Sequence, residues 1–175
     1  MNSKMEIVKI PKERVAVLIG EKGRTKRQVE KETQTKLTID SKEGVVTIEG
    51  KDSYQVYLTT HIIKAIARGF NPDKALNLLN EGYGFEIVII TDVVGKSKNT
   101  VQRQKARLIG TKGKARTTLE TLTDTEIVIY GKTVCIIGEA LNVILAKQAV
   151  ERLLQGAKHG NVYIWLEKQK EEKLT

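Results

Sequence analysis

One eight-residue pattern occurs twice in this chain, and it constrains the fold more than any other feature. Val17-Leu18-Ile19-Gly20-Glu21-Lys22-Gly23-Arg24 returns as Arg107-Leu108-Ile109-Gly110-Thr111-Lys112-Gly113-Lys114. Each copy is an apolar segment, a Gly-x-Lys-Gly turn and a basic, helix-like stretch. Glycines at such a turn let backbone amides approach a phosphate that a side chain would hold away. The repeat divides 175 residues into two domains of about ninety residues, each large enough for its own core.

The charge is distributed around the same two places. The net charge is +9. Residues 11–36 hold eight Lys/Arg against four Glu, and residues 95–120 hold eight against one. Everything outside these windows is slightly negative. A surplus tied to two phosphate-friendly turns suits a polyanion, and single-stranded nucleic acid in particular. A solvated Lys/Glu surface of thermophile type is the alternative, but it gives no reason for two equivalent clusters.

Composition excludes several other classes. Forty per cent apolar residues supports ordinary cores. No apolar run reaches the ~20 residues of a membrane span. Met1-Asn2-Ser3-Lys4-Met5-Glu6 lacks the apolar centre of a signal peptide. Cys135 is the single cysteine and reads as a small core residue, so a cytoplasmic location is expected. Two histidines and one cysteine far apart in sequence form no metal-ligand cluster, and neither a metal nor a cofactor is expected.

Hydrophobic patterning gives the same element order twice. Residues 6–10 read as a strand stopped by Pro11, which suits the first turn of a helix over about 11–19. Gly20 ends that helix. A second helix runs over about 24–32, strands over 35–39 and 45–48, and a long helix over about 52–68. Gly69-Phe70-Asn71-Pro72 breaks the pattern, a short helix covers 73–80, and Gly82-Tyr83-Gly84 is a flexible step. Residues 85–90 are then a strand and 91–99 a polar loop, with Asn99 or Thr100 capping a helix that reaches Ile109. A helix over about 114–122, a hairpin of 126–130 with 133–137 and a helix over about 139–155 follow. Residues 161–173 suggest a last helix, although alternation at 162, 164 and 166 leaves a strand open.

A Gly-x-x-Gly turn between two short helices, followed by strand, strand and helix, resembles the KH domain in its type I order. Val17 to Gly23 matches the family's apolar-apolar-Ile-Gly-x-x-Gly core, Val29 its apolar position after the turn, and Thr33-Gln34-Thr35-Lys36-Leu37 its Thr-Gly-Ala-Lys-Ile stretch. Leu108 to Gly113, Leu119 and Thr123 to Ile127 repeat the match. One departure stands out. Lys26 and Arg116 occupy the position, three past the second glycine, where KH domains usually carry an apolar residue. The expected fold is therefore α+β: a first KH domain over 1–69, a short helical connector over 70–83 and a second KH domain with a C-terminal helical extension over 84–175.

The connector Arg68-Gly69-Phe70-Asn71-Pro72-Asp73-Lys74-Ala75-Leu76-Asn77-Leu78-Leu79 and the later His159-Gly160-Asn161-Val162-Tyr163 resemble one tandem-KH family. This is the partner-of-Nob (Dim-two) family of small ribosomal subunit assembly. Its eukaryotic members have generally lost the first glycine turn; Gly20-Glu21-Lys22-Gly23 keeps it and suggests an archaeal member. The resemblance implies binding to the single-stranded 3′ region of small-subunit rRNA, and contact with the Nob endonuclease and with the alpha subunit of translation initiation factor two.

The KH resemblance implies a groove that takes about four nucleotides. Candidate RNA-binding residues are Ile19, Gly20, Glu21, Lys22, Gly23, Arg24, Lys26 and Arg27 in the first copy. In the second they are Ile109, Gly110, Thr111, Lys112, Gly113, Lys114 and Arg116. Val29, Leu37, Ile39, Leu119, Ile127 and Ile129 are either groove floor or core. No aromatic residue lies near a turn in sequence, so base stacking is expected to be scarce, and tight binding is expected to need both copies.

Two other function classes differ in the features they require. A protein–protein adaptor would use its KH folds as docking surfaces, with Tyr83, Phe85, Tyr163 and Trp165 as markers. An enzyme is not expected: Gly110 to Lys114 lacks the spacing of a phosphate loop and has Ala115 where a magnesium-binding Ser or Thr belongs.

Overall fold

Residues 2–175 are described by a computed structural model. They divide into two compact units, one ending at Glu81 and the other beginning at Gly82. Each is α+β, and each follows the β-α-α-β-β-α order expected from the sequence.

In the first unit, β1 (Lys4–Lys9) leads through Pro11 into α1 (Lys12–Ile19). A tight 3-10 turn (Glu21–Gly23) then joins α1 to α2 (Arg24–Thr33). The hairpin strands β2 (Lys36–Asp40) and β3 (Val45–Gly50) precede the long α3 (Ser53–Ala67). Asp52 caps α3, its carboxylate accepting from the Tyr54 amide at 2.8 Å, as helix N-termini favour. The sheet order is β1-β3-β2 and all pairings are antiparallel. Leu18, Val29, Leu37, Val46, Ile48, Ile62, Ile63 and Ile66 are essentially inaccessible and join the helices to one sheet face.

Residues 70–83 were read from the sequence as a connector. In the structure, α4 (Pro72–Ala75) and a 3-10 turn (Leu76–Leu79) pack on α3, burying Phe70, Ala75, Leu76 and Leu78. Asn71 caps α4 and Pro72 occupies its first turn. Tyr83 and Gly84 are no flexible step. They open β4, where Gly84 pairs with Gly138.

The second unit repeats the plan with β4 (Tyr83–Ile89), α6 (Lys98–Ile109), a 3-10 turn (Thr111–Gly113), α7 (Lys114–Thr123), β5 (Thr125–Tyr130), β6 (Thr133–Glu139) and α8 (Ala140–Leu154). Its sheet order is β4-β6-β5. Three expectations change here. The polar loop over 91–99 begins instead with α5 (Ile90–Val94), because Ile90 is buried and Val93 and Val94 pack against the same core. Ser97, rather than Asn99 or Thr100, is the cap of α6. The strand expected over 133–137 runs on through Gly138 to Glu139, as β6. At Gly138 a Cβ would stand 2.9 Å from the Thr125 side chain.

The final segment is a helix, α9 (His159–Leu174). Val162 and Leu166 are buried against the second core. The Arg152 guanidinium lies 4.0 Å from the centroid of the Trp165 ring, a cation–π contact between α8 and α9.

Two arginines do the same structural work, one in each unit. Arg14 on α1 donates to the carbonyls of Ile66 (2.9 Å) and Phe70 (3.0 Å), at the end of α3. Arg107 on α6 donates to the carbonyls of Leu153 and Ala157, both at 2.7 Å, at the end of α8. In each unit one of the two carbonyls also accepts a backbone amide (Gly69 to Ile66, Gly156 to Leu153), and the other, Phe70 or Ala157, lies just beyond the helix end. Arg14→Met and Arg107→Met should each lower unfolding free energy by about 1–3 kcal/mol, the cost of stranding such acceptors. The same change at exposed Arg24 should stay within about 0.5 kcal/mol. Chemical denaturation of the full chain checks the contrast.

Candidate nucleic-acid interface

The two glycine turns have nearly the same backbone. Gly20 and Gly110 stand at φ/ψ 73/175 and 76/173, Lys22 and Lys112 at 50/31 and 53/29, and Gly23 and Gly113 at 75/16 and 74/11. The first glycine of each pair occupies a region open essentially to glycine alone. Space is a second constraint. A Cβ on Gly20 would sit 2.8 Å from the Thr25 amide nitrogen, and one on Gly110 2.7 Å from that of Ala115. The second glycine needs only a left-handed φ.

The central lysines are left-handed non-glycine residues, which costs about 1–2 kcal/mol each. That both copies keep a lysine there suggests a role for its charge. Glu21, Lys22, Thr111 and Lys112 are exposed, so neither corner is covered by its own unit. Gly20 and Gly110 donate to Ala16 and Ala106, and Gly23 and Gly113 fold back onto the carbonyls of Gly20 and Gly110. The amides of Glu21, Lys22, Thr111 and Lys112 donate to no acceptor among the described residues. Adjacent unpaired amides beside a helix N-terminus form a concavity suited to an anion.

The cations predicted from sequence fall into two groups. Lys22, Arg24, Arg27, Lys112 and Lys114 are exposed around the turns. The Arg27 guanidinium folds back over Gly23, 2.9 Å from where a Cβ would be. Arg116 is turned inward instead. Its guanidinium meets the Glu120 carboxylate at 3.0 Å and the Ile127 carbonyl at 3.3 Å. Lys26, at the matching position, is half-buried.

Glu30 and Glu120 are structural anchors beside the candidate site that sequence reasoning missed. Glu30 accepts the Leu37 amide, and Glu120 the Ile127 amide, both at 2.8 Å. Each ties the second helix of its unit to an edge strand. Their equal offset from the two turns was the signal available. Below them, a threonine hydroxyl on the helix bonds back to its own turn and across to the strand. Thr33 donates to Val29 and Thr123 to Leu119, and the pairs Thr33–Thr35 and Thr123–Thr125 lie at 2.7 Å.

The apolar candidates also separate. Val29, Leu37, Leu119 and Ile127 are core. Ile19, Ile39, Ile109 and Ile129 are half-buried beside the turns and along the edge strands, available as groove floor. The expected lack of aromatics near a turn is corrected in the second unit. There α9 brings Tyr163 and His159 into a cleft shared with Gly110 and Thr111. Burial pushes the Tyr163 phenol above the usual tyrosine range, with hydrogen bonding to Thr118 opposing it.

This geometry defines a tandem KH protein. Residues 5–65 match the KH domain, and residues 84–171 match the eukaryotic type KH domain, type I. A KH domain-containing protein of Methanocaldococcus jannaschii is 46% identical over 172 residues, covering 96% of this chain and 75% of that one. The pre-rRNA-processing protein PNO1 of Chaetomium thermophilum is 31% identical over 105 residues, 58% of this chain and 40% of its own length. Among solved structures, Dim2p of Pyrococcus horikoshii superposes with a TM-score of 0.88 at 44% identity, covering 94% of this chain and 99% of that one. Its complex with a/eIF2alpha and rRNA gives 0.91 at 44% identity, covering 97% and 96%. The chain belongs to the Dim2/PNO1 family of KH-domain proteins, and its similar relatives include archaeal members.

The two glycines of each turn should respond differently to substitution. Gly20→Ala should lower stability by about 2 kcal/mol or more, because φ, ψ and the Thr25 backbone all oppose a Cβ. Gly23→Asn should cost under about 1 kcal/mol, since asparagine tolerates the left-handed region. Thermal denaturation of the two variants measures the difference.

Proposed function

We propose that the protein binds single-stranded RNA through both glycine turns, without catalysing a reaction. Its target in this reading is the 3′ region of small-subunit rRNA during assembly of the small ribosomal subunit, in the cytoplasm. One observation carries the reading: the same left-handed corner is built twice, each time with unpaired amides at its tip and exposed lysine and arginine around it. Backbone amides and cations take phosphates of any sequence, while the half-buried isoleucines contact bases. Ile19 to Gly23 with Arg24, Lys26 and Arg27 serve the first site. Ile109 to Gly113 with Lys114 serve the second, where Arg116 positions the groove through Glu120.

The relatives support this assignment. A pre-rRNA-processing protein is among them, and a close structural neighbour was crystallised with rRNA and a/eIF2alpha. The alpha subunit of the initiation factor and the Nob endonuclease are the proposed protein partners. A docking role receives independent support from exposed apolar side chains on the first unit. Met5 and Ile7 on β1 and Tyr54 and Tyr57 on α3 are all more than half exposed. RNA binding and docking are then separate surfaces of one protein. In both units the described helices are too short or too polar to cross a membrane.

Fluorescence anisotropy with a ~10-nucleotide RNA from the 3′ end of small-subunit rRNA tests the reading. Converting either turn to Gly-Asp-Asp-Gly should weaken binding at least tenfold, as expected when linked sites share avidity. Affinity should also fall steeply as salt rises. Unchanged affinity in both turn variants would overturn the proposal. A flat salt response would favour the adaptor reading.

A further inference from the structure

The second unit carries a cleft that the groove does not include. It has a volume of about 640 Å³ and lies between α6, α7 and α9. That is within the ~300–1,000 Å³ usual for small-ligand sites. Gly110 and Thr111 of the turn form one wall, so the cleft is continuous with the proposed phosphate site. Tyr163 and His159 form another, their rings tilted by 60° with centroids 6.2 Å apart. Arg103 and Lys114 stand at the rim, both exposed and without an ion pair among the described residues.

The chemistry of the walls is mixed in a telling way. Arg107 also lines the cleft, but its guanidinium is already committed to the Leu153 and Ala157 carbonyls. His159 is held by a bond from Nε2 to the Arg107 carbonyl at 2.9 Å. A carbonyl only accepts, so Nε2 carries the proton and Nδ1 is left as the other polar atom of the ring. Thr118 steadies the Tyr163 hydroxyl, and the ring is partly buried against the second core while still lining the cleft. The result is an aromatic wall that shares a cleft with two exposed cations. A flat π-system with an attached phosphate matches both.

The first unit has no counterpart. α9 has no equivalent there, and the positions matching the cleft's other walls, among them Glu13, Ala16, Glu21, Arg24 and Gln28, include no ring.

We propose that this cleft is a stacking site for one unpaired nucleotide of the same RNA strand, next to the one held on the second turn. The base stacks on Tyr163 with the His159 edge beside it, and its phosphate is taken by Lys114 and Arg103. The second unit therefore reads one nucleotide more than the first. This inference rests on the reading of the turns as phosphate sites.

The test uses the full chain with the first turn converted to Gly-Asp-Asp-Gly, so that only the second is read. The probes are fluorescein-labelled uridine tetramer and hexamer. With Tyr163 present, the hexamer should bind about tenfold more tightly, the scale of one stacked base. Tyr163→Ala should erase that gain and leave the tetramer unchanged, while Tyr163→Phe should retain it. Equal loss of tetramer and hexamer in Tyr163→Ala, or a gain that survives it, would overturn the proposal. A second arm avoids any folding defect. Photolysis of a 4-thiouridine hexamer on the protein with Tyr163 intact should crosslink the tryptic peptide 159–168. Crosslinks confined to 112–130 would overturn the proposal. If converting the second turn also leaves tetramer binding intact, the phosphate reading fails instead.

Discussion

The structure depends on a backbone corner that only glycine can make. Gly20 and Gly110 take dihedrals closed to other residues, and the space a Cβ would need is filled by the backbone of residues 25 and 115. The corner brings the chain out of one helix and directly into the N-terminus of the next. Amides that would otherwise sit inside a helix are left pointing to solvent. The following lysine accepts left-handed strain, and the second glycine sets the direction of α2 or α7. Replacing the corner with any ordinary loop would separate those amides.

The rest of each unit holds the corner in place. Glu30 and Glu120 tie the second helix to the outer strand of the hairpin, β2 or β5. Arg14 and Arg107 tie the first helix to the end of the last one. The basic surplus near the turns therefore has two uses. Arg14, Arg107 and Arg116 are spent on protein carbonyls and carboxylates. Lys22, Arg24, Arg27, Lys112 and Lys114 remain exposed. Net charge alone overstates the cations available to a polyanion.

Most helices and strands were legible because their periodicity is local. Strand alternation, Pro11 and the glycine corners mark boundaries within a residue or two. α5 was misread because Thr91 and Asp92 masked the helical spacing of Ile90, Val93 and Val94. The inward turn of Arg116 and the capping by Arg14 and Arg107 depend on carbonyls many residues away, which no local pattern encodes. Tyr163 was treated as remote from the turns for the same reason. Only the packing of α9 on α7 brings it there. Glu30 and Glu120 were legible in principle, since both copies hold a glutamate at the same distance from the turn.

The central claim is that backbone amides at the two corners receive RNA phosphates. Amide chemical shifts, followed by NMR while unpaired RNA is titrated into the full chain, test it most directly. The account predicts that the amides of residues 21–24 and 111–114 move first and furthest, with those of α3 and α8 nearly still. Shifts confined to the β1 and α3 face, with the corner amides unmoved, would contradict it.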